Sequence, residues 1–231
     1  MGAPEEIVPG VFGVLKGFGN AFVLVDDQVT LIDAGLARRC RKLTTALDSI
    51  GREITNIALT HHHFDHIGCL STLGTAERKI FAHPLDGDVI SGDRAIPGLS
   101  VGGVQKLTLT VLRPLLFGGD PPRCKVDRAI VEGDEIPGSG GLRTVHTPGH
   151  TKGHVSFIHP TKRVLFVGDA AANQRRLGLP PRFMTEELDE AKRSIRKIAS
   201  LDFDIAVFGH GEVIKGAANT RFRKLVDAMA G

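Results

Sequence analysis

Four histidines and one aspartate lie within six residues of the chain, in the segment 61–66 (HHHFDH). The segment follows an apolar stretch that ends at Ala58-Leu59, so an extended backbone would place His61 and His63 on the same side. Asp65 and His66 come next, at a turn into a helix. Imidazole and carboxylate without thiolate suit Zn, Fe or Mn, and two neighbouring ligand sets predict a two-metal site with ions about 3.5–4 Å apart.

Three further ligand-type residues each follow a short apolar strand. His150 comes after the predicted strand 142–146, Asp169 after 163–167, and His210 after 204–208. Ligands delivered from several strand ends can converge on one edge of a sheet core. The spacing therefore predicts that these residues join the histidine-rich segment in one site.

The elements that must position these residues alternate along the chain. Ala21–Val25 and Val29–Ile32 flank a polar turn and predict a hairpin. Further strands are predicted at 55–59, 79–82, 128–132 and 154–158, besides the three that precede His150, Asp169 and His210. Helices are predicted from Leu36 to Ile50 and at 67–74, 185–200 and 217–229. Strands in hairpin order with single helices between them indicate an α+β fold with helices outside packed mixed sheets.

The organisation along the chain is that of one domain, residues 1–231, with one interruption. Segment 92–127 carries paired glycines and prolines around an apolar stretch without a clean period, 107–117. An insertion of this length in a compact domain is often a functional lid or a subunit contact.

Composition excludes several classes of protein. The net charge of +3 is small, and the chain has 12 Phe but neither Trp nor Tyr, which disfavours nucleic-acid binding. No apolar run reaches the ~20 residues that span a bilayer, and the first ten residues do not resemble a secretion signal. Cys40, Cys69 and Cys124 are odd in number and widely spaced, which predicts free thiols in a reducing cytoplasm.

The motifs together resemble the metallo-β-lactamase-fold hydrolase superfamily, including its glyoxalase II-like and lactonase-like branch. The resemblance runs from Val8 to Met229 through four motifs in family order. They are His61-x-His63-x-Asp65-His66, then 147–154 (TPGHTKGH), then 166–169 (FVGD), then 209–211 (GHG). It implies a four-layer αββα sandwich with a dinuclear site at one edge.

The resemblance also implies roles for individual residues. The first metal would be held by His61, His63 and His150, the second by Asp65, His66 and His210, with Asp169 bridging both. Asp33 matches a family position near the site, where it would either support a ligand or cap a local turn, and His154 would support rather than ligate. A metal-bridging hydroxide would attack the substrate while Asp65 orients the water and carries its proton to the leaving group.

Two residues differ from the pattern of particular branches of the superfamily, and these differences narrow the range of expected functions. His63 stands where redox diiron flavoproteins carry a carboxylate, and Asp169 stands where several true β-lactamases have Cys or Ser. The preferred hypothesis is hydrolysis of a small ester, thioester or lactone by two divalent ions, zinc first and Fe or Mn as alternatives. A persulfide dioxygenase with one iron, phosphodiesterase or phosphotriesterase activity, and a non-catalytic metal-binding protein are left open.

The substrate is predicted only in outline. Arg175 and Arg176, with Arg182 nearby, follow Asp169 and could clamp an anionic substrate, or form a solvated basic loop. Similar lactonases often use a Tyr hydroxyl to steer the substrate carbonyl, and this chain has no Tyr. The predicted partner is a small molecule, without nucleic acid or membrane, and a homodimer is left open.

Overall fold

The computed structural model describes residues 3–74, 77–97 and 123–230. One sheet of seven strands has the order β1 to β7, with antiparallel pairing from β1 to β4 and parallel pairing from β4 to β7. Its strands are β1 Glu5–Val8, β2 Val11–Leu15, β3 Ala21–Val25, β4 Val29–Ile32, β5 Asn56–Ala58, β6 Lys79–Ala82 and β7 Arg128–Ala129. The insertion predicted at 92–127 lies largely outside the described residues.

A second sheet has five strands in the order β14-β13-β10-β9-β8. A separate two-stranded hairpin, β11 with β12, follows β10. The bounds are β8 Arg143–His146, β9 Val155–His159, β10 Val164–Phe166, β11 Ala172–Asn173, β12 Leu177–Gly178, β13 Ile205–Val207 and β14 Ile214–Lys215.

Six α-helices accompany the sheets in the described residues: α1 Cys40–Ile50, α2 Phe64–Ile67, α3 Leu70–Leu73, α4 Pro84–Ser91, α5 Leu188–Ser200 and α6 Ala218–Ala230. Short 3₁₀ helices occur at Ala37–Arg39 and Arg182–Met184. The helix predicted at 67–74 is instead two single turns, α2 and α3, and α4 was not predicted. Across the described chain, every helix falls short of the length or apolarity needed to cross a membrane.

The alternation of side chains along each strand sorts the core into layers. In the first sheet, Leu31 and Ile57 face the cluster that contains Leu43 of α1, whereas the next residues, Ile32 and Ala58, face the second sheet. Successive side chains of a strand point to opposite faces, so each strand serves two interfaces. The first sheet therefore lies between a helical layer and the second sheet.

The second sheet is divided in the same way. Phe166 of β10 lies in the cluster between the sheets, while Leu165 packs with Ile195 and Ile198 of α5 and Phe222 of α6. The three clusters correspond to the three interfaces of a four-layer αββα sandwich. This architecture confirms the predicted fold class.

The cysteines correct one prediction. Cys40 at the start of α1 and Cys69 between α2 and α3 form a disulfide, with Cα atoms 5.2 Å apart, and only Cys124 is free. The expectation of three free thiols was therefore wrong, because folding brings together residues that are 29 positions apart. Disulfides are typical of oxidising compartments, so cysteine usage no longer supports a cytoplasmic location.

We expect reduction of this disulfide to lower stability measurably. Closing a loop of this length restricts the unfolded chain and is worth about 3.5 kcal/mol, or about 10 °C in Tm for a chain of this size. Thermal unfolding with and without reductant measures the effect. The response should vanish in the Cys40→Ala/Cys69→Ala double variant and persist in Cys124→Ala. A wild-type Tm that is indifferent to reductant would contradict the prediction.

Candidate metal centre

The predicted ligands gather at one edge of the sandwich because they follow the ends of strands from both sheets. The histidine-rich segment follows β5, Asp169 follows β10 and His210 follows β13. Backbone bonds join the two sheets there: Val155 N–H donates to the Thr60 carbonyl at 2.8 Å, and Asn20 N–H donates to the Gly209 carbonyl at 2.8 Å. These two hydrogen bonds hold the sheets together at the edge where the predicted ligands lie.

Three histidines form the first ligand group. Each of these histidines contributes one ring nitrogen, and the nitrogens of His61, His63 and His150 lie within 4.8 Å of one another. His63 Nδ1 and His150 Nε2 face each other at 2.9 Å. All three belong to the set predicted for the first metal.

Asp65, His66 and His210 form the second ligand group. Asp65 Oδ2 lies 3.1 Å from His210 Nε2 and 4.0 Å from His66 Nε2. The side chains of Asp65 and His66 are buried, and that of His210 is partly exposed, so this group opens to solvent on the His210 side.

Asp169 lies between the two groups. Its Oδ2 is 3.4 Å from His150 Nε2 and 3.2 Å from His210 Nε2, and its Oδ1 is 3.6 Å from His66 Nε2. His154 fixes its backbone, because Asp169 N–H donates to His154 Nε2 at 2.9 Å. Gly209 makes the position possible, since a Cβ there would lie 2.1 Å from Asp169 Oδ1.

Asp33 orients ligands from both groups through hydrogen bonds. Its carboxylate accepts from His66 Nδ1 at 2.7 Å and from the Thr60 hydroxyl at 2.8 Å. Since that hydroxyl donates to Asp33, its oxygen can accept from His61 Nδ1, 3.0 Å away. With these partners on Nδ1, each imidazole in its neutral form would present the Nε2 lone pair to the site, which is how metal-binding histidines are usually supported.

Burial and charge act differently on the two groups. Burial, followed by neighbouring histidines, lowers the pKa of His61 and His150 well below 6.5 and that of His63 to about 4. A neutral imidazole is the form that binds a metal. The three-histidine group is therefore prepared for a cation without loss of a proton.

In the second group, neighbouring carboxylates raise the pKa values of the two histidines. Burial lowers the pKa of His66, but Asp33, Asp169 and Asp65 outweigh it and raise the value to about 9. Burial likewise opposes charge on His210, yet Asp169 and Asp65 raise its pKa to about 10. The buried carboxylates thus favour positive charge at this end of the site.

The donor set fits divalent ions. His61 Nε2, His66 Nε2 and Asp169 Oδ1 are buried and have no hydrogen-bond partner among the described residues. The same three side chains form a further group with ligand atoms within 4.8 Å. Buried polar atoms usually have partners, and a cation held by imidazole and carboxylate would supply one here.

A cavity of about 1000 Å³ opens beside the ligands. Its walls include Phe18, Phe64, Phe183 and Met184, and Arg175 and Arg176 stand at its rim as exposed side chains. Phe18 packs edge-on against the His210 ring at 5.5 Å between centroids. Arg182 does not line this cavity; it borders a separate, highly charged one. The structure thus brings Arg175 and Arg176, but not Arg182, to the site.

Other histidines lie outside the ligand set. His62 is buried and turns away from the ligands towards Asp86, whose Oδ2 is 3.0 Å from His62 Nδ1. His83 caps α4 and stacks on His146 at 4.3 Å. His159 is also buried. Thr60 and Asp86 were not among the predicted residues. Because α4 was not predicted either, the acidic residue in its first turn could not be recognised as a signal for Asp86.

The sandwich and its edge of histidines and carboxylates define a metal-binding enzyme, and comparison with known proteins identifies its family. The family model "Metallo-beta-lactamase superfamily" matches residues 14–210, so the chain belongs to that superfamily. The crystal structure of the metallo-beta-lactamase family protein TTHA1429 from Thermus thermophilus is similar in fold. Its TM-score is 0.72 at 22% identity, over 97% of this chain and 81% of that one.

Two of the curated relatives are named as enzymes. Hydroxyacylglutathione hydrolase of Rhodospirillum rubrum is 33% identical over 157 residues, which are 64% of this chain and 48% of that protein. Atrochrysone carboxyl ACP thioesterase of Aspergillus fumigatus is 30% identical over 204 residues, 87% of this chain and 53% of that protein. The chain spans about half the length of each. It is a metal-dependent hydrolase of the superfamily, as predicted.

Proposed function

We propose that this protein holds two divalent ions, zinc in preference to iron or manganese, and hydrolyses a small thioester, ester or lactone. One observation carries the proposal: seven ligand-type side chains meet beside a cavity of about 1000 Å³. His61, His63 and His150 would hold one ion, Asp65, His66 and His210 the other, and Asp169 would contact both.

The chemistry divides between the ions and the protein. Divalent ions, when bound, would lower the pKa of a water towards neutrality and polarise the attacked oxygen. Asp65 lines the cavity and offers a carboxylate that can accept the water's proton and pass it to the leaving group. Asp33 and Thr60 keep the ligand rings in the required tautomers.

The cavity favours a thioester or ester with an apolar acyl group. Phe18 and Phe183 are about half exposed at its walls, at 54% and 47%, and would be covered by such a group. The two relatives named as an acylglutathione hydrolase and an ACP thioesterase agree with this choice. A lactone is the less favoured substrate, because no Tyr is present to steer its carbonyl.

The occupant of the cavity is a small molecule, and neither nucleic acid nor membrane is needed. A cytoplasmic location and a homodimer remain predictions.

Metal analysis followed by a substrate panel tests the proposal. We expect two zinc ions per chain by elemental analysis, loss of activity on complete chelation and recovery on adding Zn²⁺. Thioesters with apolar acyl groups should exceed lactones and phosphodiesters as substrates. Hydrolysis that survives complete metal removal would overturn the proposal, and one iron per chain with turnover of persulfides only would replace it with the dioxygenase.

The arginines at the rim predict a selective effect on binding. Arg175 and Arg176 are exposed and line the cavity beside the ligands. We expect the Arg175→Ala/Arg176→Ala double variant to raise KM for a thioester with an anionic leaving group about tenfold, equivalent to ~1.4 kcal/mol. The kcat value should change little, and neutral thioesters should be unaffected. Arg182→Ala is the matched control, and equal losses on charged and neutral substrates would contradict the assignment.

A further inference from the structure

Asp86 is a buried carboxylate outside the ligand set that contacts both loops of the three-histidine group. It lies in the first turn of α4 and is 1% exposed. Its Oδ2 accepts from His62 N–H at 3.0 Å and from the Thr151 hydroxyl at 2.7 Å. Its Oδ1 accepts from Gly153 N–H at 2.9 Å. One side chain therefore joins segments that are far apart in sequence.

The contacts require an ionised carboxylate. Every backbone and hydroxyl group that meets the Asp86 oxygens is a donor, and His62 Nδ1 lies 3.0 Å from Oδ2. Burial raises the pKa of Asp86, but hydrogen bonds from His62 and Thr151 outweigh it and lower the value to about 2. An amide would place its NH₂ group against one of these donors, so Asn cannot reproduce the arrangement.

The residues held by Asp86 are the immediate neighbours of metal ligands. His62 lies between His61 and His63, and Thr151 follows His150. Gly153 allows the close approach, since a Cβ there would lie 2.5 Å from Asp86 Oδ1. The separation of the two loops at Asp86 thus sets the separation of the ligands beyond them.

We propose that Asp86 is a positioning residue that pre-forms the three-histidine metal site by clamping the 61–63 loop to the 150–153 loop. The inference rests on the proposed metal-dependent function. Its effect is selective, because Asp33 and His154, rather than Asp86, support the ligands of the second group and Asp169. Loss of the clamp should therefore weaken one site and spare the other.

Zinc titration of the metal-free protein against a competing chelator tests the proposal. We expect Asp86→Asn to weaken one of the two zinc sites about 10–100-fold, the range found for residues that support metal ligands, and to leave the other unchanged. Thr151→Val removes one clamp contact and should weaken the same site, whereas Thr151→Ser keeps the hydroxyl and should restore it. Asp88→Asn, an exposed aspartate on the same helix, is the matched control.

Hydrogen exchange of the metal-free protein supplies a second readout. The amides of His62 and Gly153 should exchange at least tenfold faster in Asp86→Asn than in the wild type, with the Asp33 region unaffected. If Asp86→Asn does not fold, the zinc affinities of Thr151→Val and Thr151→Ser test the proposal in its place. The proposal fails if the wild type binds two zinc ions and these variants bind both with unchanged affinity, or if both sites weaken equally. A wild type that binds no zinc would instead overturn the proposed function.

Discussion

Replacing Asp169 by Asn should lower kcat/KM about a thousandfold and reduce the bound metal from two ions to one per chain. Two cations in close proximity repel each other, and a shared carboxylate offsets that repulsion. The polarisation and charge stabilisation that a metal provides are worth several kcal/mol, and about 4 kcal/mol corresponds to a factor of about a thousand in rate.

Geometry explains why the effect should centre on this residue. Asp169 approaches ligands of both groups, with oxygens 3.2–3.6 Å from nitrogens of His150, His210 and His66. Asn has nearly the same volume, so the fit against Gly209 and the backbone bond to His154 should survive. The substitution therefore removes charge while retaining shape.

Elemental analysis and steady-state kinetics on the same preparation measure the outcome. Asp88→Asn serves as the control for an exposed carboxylate, and circular dichroism confirms that the fold is intact. A variant that retains two ions and wild-type kcat/KM would exclude the bridging role of Asp169.

Many of the strands could be predicted from short apolar runs between turns, whereas the four-layer sandwich was implied by the resemblance to the superfamily. Neighbouring residues such as Ile57 and Ala58 serve opposite interfaces, and the hairpin of β3 and β4 occurs at the predicted residues. Strands β1 and β2 were missed, since β1 carries two exposed glutamates and β2 is interrupted by Gly13. A run of apolar residues in the sequence indicates a buried strand. This signal is weak for a strand such as β1, which lies at the edge of its sheet and has exposed residues.

The ligands could be proposed because ligand-type residues follow strand ends, a position readable along the chain. Of their supporting residues, Asp33 and His154 were predicted, whereas Thr60 and Asp86 could not be, because they act through partners that are distant in sequence. Nothing about Asp86 in the sequence names Gly153 as its neighbour. The same reason hid the disulfide, since the proximity of Cys40 and Cys69 depends on how α1 packs against the short helices.

Asp65→Asn should lower kcat about 10²–10⁴-fold with little change in KM, the range for loss of a general acid or base. Asp65 is buried at the cavity floor, and its Oδ2 lies 3.1 Å from His210 Nε2. Asn retains one oxygen for a metal and the size of the side chain, but it cannot accept a proton. The variant thus separates proton transfer from metal binding.

The leaving group shows which role dominates. An alkyl thiolate, with a conjugate-acid pKa of about 8.5 as in cysteine, leaves more readily when protonated, whereas an activated aryl thiolate leaves without help. Two thioesters with the same acyl group and these different leaving groups should therefore respond unequally. We expect the loss in Asp65→Asn to be at least tenfold smaller for the aryl thioester.

The metal content of Asp65→Asn determines how the rates on the two thioesters are interpreted. Two ions per chain in Asp65→Asn, together with unequal losses, would establish that Asp65 delivers the proton to the leaving group. Equal losses on both thioesters with both ions retained would show that the carboxylate serves the attack step or the metal alone. Since the Asp65 carboxylate faces both His210 and the cavity, only the unequal response is expected from its position.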